Sequence, residues 1–421
     1  MRRLKLLASF GLLQGGVQFL SALSGFILVR ALDKSEFAAY TIASSMQVIL
    51  NLLTDGGIGS GLNALGGRVW QDRGTLSRLI NTAFLFRRQL AWIAIPVATL
   101  FSLFLLRNNE VSWLSSVLLV AVVITGLWGS WTVSVYAVPL RLHGRYLLVQ
   151  RTELASALLR LALVGGMAFV FLNALLAVLI FVIASALQAV LLLRAASDVV
   201  DRDAPVDGQQ RAQLSSLVRK QFFQVFFFAF QGQITIWLIS AFGNTEKVAD
   251  LGALARLGII FALVGSIVTN IISPTFSRCD SIRRLRGMFT LSIVGYSAFS
   301  VVIMGISILS PEPLLWLVGP QYQTLTKELP WMMASGIVTG YTGIVHALAF
   351  GRGWIWHAWL IPIFTLAIQV ILLFMVDLSS VHGVLLFGLV SCVPNFLLVS
   401  YMALRGFICV SDVGRSKGEV V

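Results

Sequence analysis

Two arginines stand inside apolar runs long enough to cross a bilayer. Arg256 lies between NTEKVADLGALA and LGIIFALVGSIVTNII, and Arg160 lies within ELASALLRLALVGGMAFVF. A fixed charge at the bilayer centre costs about 2.5–3.5 kcal/mol on insertion scales, so such a residue faces a bundle interior or a wet cavity and finds a partner. At 1.5 Å per residue, each arginine sits roughly 10–13 Å from the nearer end of its run. The guanidinium fork binds phosphate oxygens in pairs and keeps its charge at any relevant pH, which points to an anionic headgroup such as a diphosphate. Arg30, at the end of the first run, would extend the positive route, with Arg145 and Arg151 near the other mouth. The competing reading is snorkelling, or a structural pair such as Arg160 with Glu153 two turns earlier.

Carboxylates in the apolar runs are few. Asp55 ends the second run, Glu153 begins the fifth and Asp250 begins the eighth. Asp55 and Glu153 are candidates for proton or cation coupling, because a carboxylate whose protonation alternates with conformation can tie transport to an ion; helix capping or loop pairing is the alternative. Glutamines mark the first run (Gln14, Gln18) and the seventh (Gln224, Gln231), each pair on one helical face. They would offer hydrogen bonds to sugar hydroxyls or bond between helices.

These residues need a membrane scaffold to hold them. The chain is 57% hydrophobic and 12% charged, with a mean hydropathy of +0.88, which excludes an ordinary soluble domain. About twelve runs can span a hydrocarbon core, at residues 6–29, 37–58, 85–106, 111–139, 153–172, 174–193, 221–242, 248–273, 288–310, 331–350, 358–376 and 380–404. The first run lacks a small-x-small cleavage site and is read as a helix rather than a signal peptide. Alternate connections hold only Arg30, Lys34, Arg107, Lys247 and Lys327, and the other segments hold nearly all remaining Lys and Arg. That bias places both termini in the cytoplasm. The net charge of +13 follows from this rule and does not call for a nucleic-acid partner. Pro96, Pro139, Pro274, Pro362 and Pro394 are candidate kinks or hinges.

The fold expected is all-α and polytopic, with two parallel six-helix repeats around a central cavity. The hydrophilic stretch 194–220 falls at the midpoint and reads as a cytoplasmic linker between an N-lobe, 1–193, and a C-lobe, 221–405, with 406–421 as a cytoplasmic tail. VRALDKSEFAAYTIAS and ISAFGNTEKVADLGALAR are echoes, as are LRLHGRY and AFGRGW. Parallel repeats place a substrate path at their interface. A channel is disfavoured by the lack of a filter-like loop, and an enzyme by the lack of paired carboxylates or a nucleotide-binding loop. Cys279, Cys392, Cys409 and the four scattered histidines give no metal or redox spacing, so neither metal nor cofactor is expected.

Three stretches, LLTDGGIGSGLNAL, QGQITIWLISAFGNTEKVADLGALARL and LLWLVGPQYQTLTKELPWM, resemble the polysaccharide repeat-unit (Wzx-type) flippases of the superfamily that also holds multidrug extruders and the lipid II flippase. The resemblance spans essentially the whole chain. It implies movement of an undecaprenyl-diphosphate-linked oligosaccharide from the inner to the outer leaflet of a bacterial cytoplasmic membrane, with partners among the polysaccharide polymerase and assembly proteins. Arg256 and Arg160 would bind the diphosphate and polar side chains the glycan. The alternatives are a cation-coupled multidrug antiporter, for which an acidic or aromatic cavity is expected, and a non-transporting scaffold.

Overall fold

The computed structural model describes residues 2–277, 279, 281–352, 354 and 356–418, and the side chains among them except those of 2–12, 60, 220, 221, 224, 270, 271, 274, 351 and 409–418. Its helices are α1 (Arg2–Ala31), α2 (Lys34–Asp55), α3 (Ile58–Val69), α4 (Arg73–Asn108), α5 (Trp113–Leu142), α6 (Tyr146–Ala168), α7 (Ala174–Ala195), α8 (Gly208–Gln231), α9 (Ile234–Phe242), α10 (Thr245–Arg256), α11 (Ile259–Ile267), α12 (Ser273–Ser277), α13 (Ile282–Leu309), α14 (Glu312–Val318), α15 (Leu329–Gly351), α16 (Leu360–Met375) and α17 (Val381–Gly418). A π-helical turn, Val268–Ile272, joins α11 to α12. No strand occurs among the described residues.

Each expected span falls on one of these helices or on a broken one. Among the described residues eight spans are long and apolar enough by themselves, and α8 with α9 adds a ninth, bent by 50° at the break after Gln231. Three others complete the twelve. They are α1, α6, whose hydropathy is lowered by Arg151, Glu153 and Arg160, and α16, which has only 16 residues. On α4, Trp92, Ile93, Val97 and Leu100 are 64–73% exposed, a surface that suits lipid and not water. The protein is an all-helical, multi-pass membrane protein.

Polar residues stop and start the helices where the sequence changes character. The side chains of Asp72, Asn173 and Asp207 accept backbone N–H bonds at the starts of α4, α7 and α8. After α2, Gly56 and Gly57 take φ of +52° and +98°, a left-handed turn that side-chain-bearing residues resist, and the chain re-enters a helix as α3. The sequence expectation places no separate helix here, since α3 lies almost wholly between the expected spans 37–58 and 85–106.

The chain divides into two compact units, Met1–Gly252 and Ala253–Val421. α8, α9 and most of α10 thus associate with the N-terminal helices, whereas the lobe division read from the sequence falls in the linker 194–220. In the first unit α5 lies along α7, α1 along α6 and α2 along α4. Gly126 and Gly129 of α5 allow the close approach to α7: a Cβ at Gly129 would stand 2.8 Å from Ser185 Oγ and 3.2 Å from its carbonyl carbon. A hydrophobic core at one end, with Ile58, Leu62, Leu79, Val135, Leu192 and Leu214, clamps α3 against α4, α5, α7 and α8. In the second unit α15 packs on α13 and α17, and Tyr296 Oη of α13 donates to the Ile337 carbonyl of α15 at 3.0 Å.

Candidate functional site

A cavity of about 490 Å³ opens inside the first unit, bounded by α1, α2, α4, α5, α6 and α7. Its wall carries four charged side chains, Asp55, Arg87, Glu153 and Arg160, among the hydroxyls of Ser21, Ser130, Ser134, Ser156 and Ser185. Hydroxyls and ions on helices otherwise covered by lipid-facing apolar residues indicate a wet compartment.

Arg160 projects from α6 towards α1. Its Nη2 donates to Ser21 Oγ at 2.5 Å, and its guanidinium carbon lies 5.3 Å from the centre of the Phe181 ring on α7, a cation–π distance. Arg160 therefore lines the cavity, as the cost of burying it demanded. Glu153, two turns earlier on α6, lines the same cavity and makes no ion pair or hydrogen bond among the described residues, so the Arg160–Glu153 pair considered from the sequence does not form. It lies within the electrostatic reach of Arg141 and Arg160.

Asp55 has two roles. Its carboxylate accepts from the backbone N–H of Gly57 and Gly59 at 3.2 Å, which caps α3, and it pairs with Arg87 Nη2 of α4. Arg87 Nη1 also donates to Ser134 Oγ of α5 at 2.6 Å. Arg87 is 3% exposed, so α2, α3, α4 and α5 are joined through one buried guanidinium. Sequence reasoning missed Arg87. It was counted with Arg88 among the charges that set topology, although the pairing of a lone carboxylate at the end of α2 was the available clue.

The remaining candidates do not gather at this cavity. Gln14 accepts from Gln150 Nε2 at 3.1 Å and so bonds α1 to α6, the interhelical alternative. Gln18 is partly buried, and its Oε1 has no hydrogen-bond partner. Arg30 is exposed at the last turn of α1, and Gln231 sits half-buried at the break between α8 and α9. The side chain of Gln224 lies outside the described residues. Arg256 belongs to the second unit. It is half-buried at the end of α10, where the helix breaks at Leu257 and Gly258 before α11 begins.

No protein-family model and no curated protein sequence matches the chain. Solved structures do. The lipid II flippase MurJ in an inward closed conformation aligns with a TM-score of 0.71 at 11% identity, covering 96% of this chain and 89% of that one. An inward-facing multidrug resistance MATE transporter of the MOP superfamily aligns at 0.68 and 14%, covering 94% and 96%, and the eukaryotic MATE transporter AtDTX14 at 0.65 and 14%, covering 97% and 99%. The chain has the fold of these proteins. The likeness runs over nearly the whole length, and it extends to both the lipid flippase and the multidrug transporters.

Proposed function

We propose that the protein is a transporter that flips a lipid-linked oligosaccharide, an undecaprenyl-diphosphate repeat unit, across the bacterial cytoplasmic membrane by alternating access. The observation that carries this reading is Arg160, a permanent cation in a hydroxyl-lined cavity of about 490 Å³ inside a fold shared with a lipid II flippase. It donates to a neutral serine hydroxyl, which a phosphate oxygen can replace as acceptor. Arg256, at the end of α10 where the helix breaks before α11, is proposed as the second cationic contact, and Arg30 as a peripheral one. Gln18 and Gln231 are proposed to meet the glycan. The proposed topology keeps both termini, the linker 194–220 and the tail 406–421 in the cytoplasm, with six-helix lobes 1–193 and 221–405.

A second reading has its own observation. Glu153 lines the cavity with no ion-pair partner among the described residues, which suits proton- or cation-coupled antiport of small molecules. Within the flippase reading the same carboxylate is the proposed coupling group, and Asp55, held by Arg87, is the less available one.

Reconstitution in proteoliposomes decides between them. Translocation of a diphosphate-linked oligosaccharide lipid, lost in Arg160→Gln, supports the flippase; efflux of organic cations without lipid translocation moves the protein to antiport.

A further inference from the structure

We infer that the first unit holds a second ligand site, a saccharide-binding pocket where the start of α2 and the end of α4 meet the starts of α5, α7 and α10. This inference rests on the flippase reading and deepens it, because it assigns the glycan part of the substrate a place of its own. The cavity there measures about 670 Å³. Ala39 lines it and Asn51 lines the Arg160 cavity, twelve residues apart on α2, so the two sites are separated by about 18 Å along that helix.

Asn109 is the decisive residue. It is 2% exposed, it lines the pocket, and its Nδ2 donates to the carbonyls of Leu105 at 2.8 Å and Ser240 at 2.9 Å. Two carbonyl acceptors fix the amide orientation, so Oδ1 is an acceptor, and it has no hydrogen-bond partner among the described residues. A buried acceptor left without a donor is costly, and a ligand hydroxyl that reaches it from the pocket would supply one. Around it stand Glu110, Ser112, Ser115, Asn173 and Glu246, again mostly acceptors.

The lining chooses among ligand classes. Its one cation, Lys34, is held by Asp250 at 3.0 Å, so a phosphate meets carboxylates and finds no guanidinium. Among the described residues no aromatic ring lines the pocket, which removes the usual cage for an organic ammonium. No group of three or more metal-ligating side chains exists among the described residues. A lining of amide, carboxylate and hydroxyl groups, with the Asn109 acceptor unmet among the described residues, suits a ligand rich in O–H donors, a sugar.

The test is saturation-transfer NMR on the full chain in detergent with free glucose, galactose, rhamnose, N-acetylglucosamine, lactose and cellobiose, with tetramethylammonium and inorganic phosphate as controls. The expected result is millimolar binding of at least one sugar, weakened tenfold or more in Asn109→Leu and in Ser115→Leu, and unchanged in Arg160→Gln. Ser115→Leu fills the pocket without touching the Asn109 bonds, so it covers the case in which Asn109→Leu does not fold. Absence of binding by every sugar, binding indifferent to Ser115→Leu, or tetramethylammonium bound in their place overturns the inference. Flipping activity without sugar binding removes this pocket and leaves the proposed function standing. Sugar binding without flipping does the reverse.

Discussion

Removing the charge of Asp55 should destabilise the first unit far more than a surface substitution does. Asp55→Asn leaves one side-chain acceptor, which in the place of Oδ2 still serves the Gly57 N–H and, at 3.4 Å, that of Gly59, and it deletes the counter-ion of Arg87. Arg87 is 3% exposed and would retain only the neutral Ser134 hydroxyl. Leaving a buried charge without its partner costs about 3–5 kcal/mol. The Asp55 side chain is 24% exposed, so water compensates in part, and the lower end, about 3 kcal/mol, is the expectation. That corresponds to a change of about 150-fold in the folding equilibrium. Arg87→Leu leaves a carboxylate that still has two backbone donors and some water, and should cost about 1–2 kcal/mol. The double variant restores neutrality, so its cost should fall short of the sum of the singles by about 2 kcal/mol. Reversible SDS unfolding in mixed micelles, followed by tryptophan fluorescence, reads all three. Additivity within about 0.5 kcal/mol would show that the pair is not a coupled unit, and the account of Arg87 as the link between α2, α3, α4 and α5 would fail.

Other expectations follow from packing and charge. Gly129→Ala places a Cβ 2.8 Å from Ser185 Oγ, and the overpacking should cost about 1–3 kcal/mol in the same unfolding assay, whereas Gly165→Ala, with nothing within 4 Å, should be neutral or mildly stabilising. Arg145 donates to Asp198 at 2.6 Å, and this hydrogen bond holds the Asp198 carboxyl below its ordinary value of 3.8. A depressed folded-state pKa gives stability that is present above pH 3.8 and lost as pH falls through the lower folded value. Both groups are exposed, so the difference between the native protein and Asp198→Asn should be small, should vanish in strong acid, and should shrink at high salt; thermal melts from pH 2 to 7 measure it. Glu153→Gln should uncouple transport from an imposed pH or sodium gradient while downhill movement of substrate persists, read as gradient-dependent uptake in vesicles.

The spans were legible because hydropathy over about 20 residues is a strong signal, and the caps at Asp72, Asn173 and Asp207 fall where polar residues interrupt it. α3 was not legible, since Gly56, Gly57, Gly59 and Gly61 suppress helix propensity, and the helix exists because Ile58 and Leu62 bury against α4, α5 and α8. For the site, the cost of burying a charge made the position of Arg160 on a polar cavity wall legible. The same reasoning missed Arg87, which lies at the end of an expected span next to Arg88, where topology alone accounts for a positive charge. The same one-dimensional view cannot say that Gln14 turns to Gln150, or that Asn109, in a turn read only as a short connection, is buried by Ser240 from 131 residues away. Such partners are fixed by the packing of α1 on α6 and of α4 on α9, and helical periodicity contains neither pairing.

The most direct test of the central claim is translocation of an undecaprenyl-diphosphate-linked oligosaccharide by the protein in proteoliposomes, compared with Arg160→Gln and Arg256→Gln variants that insert and fold equally well. The account predicts flipping by the native protein and at least a tenfold loss in Arg160→Gln. Native flipping that Arg160→Gln leaves intact would contradict the cationic cavity as the diphosphate site, and no native flipping at all would contradict the proposed function itself.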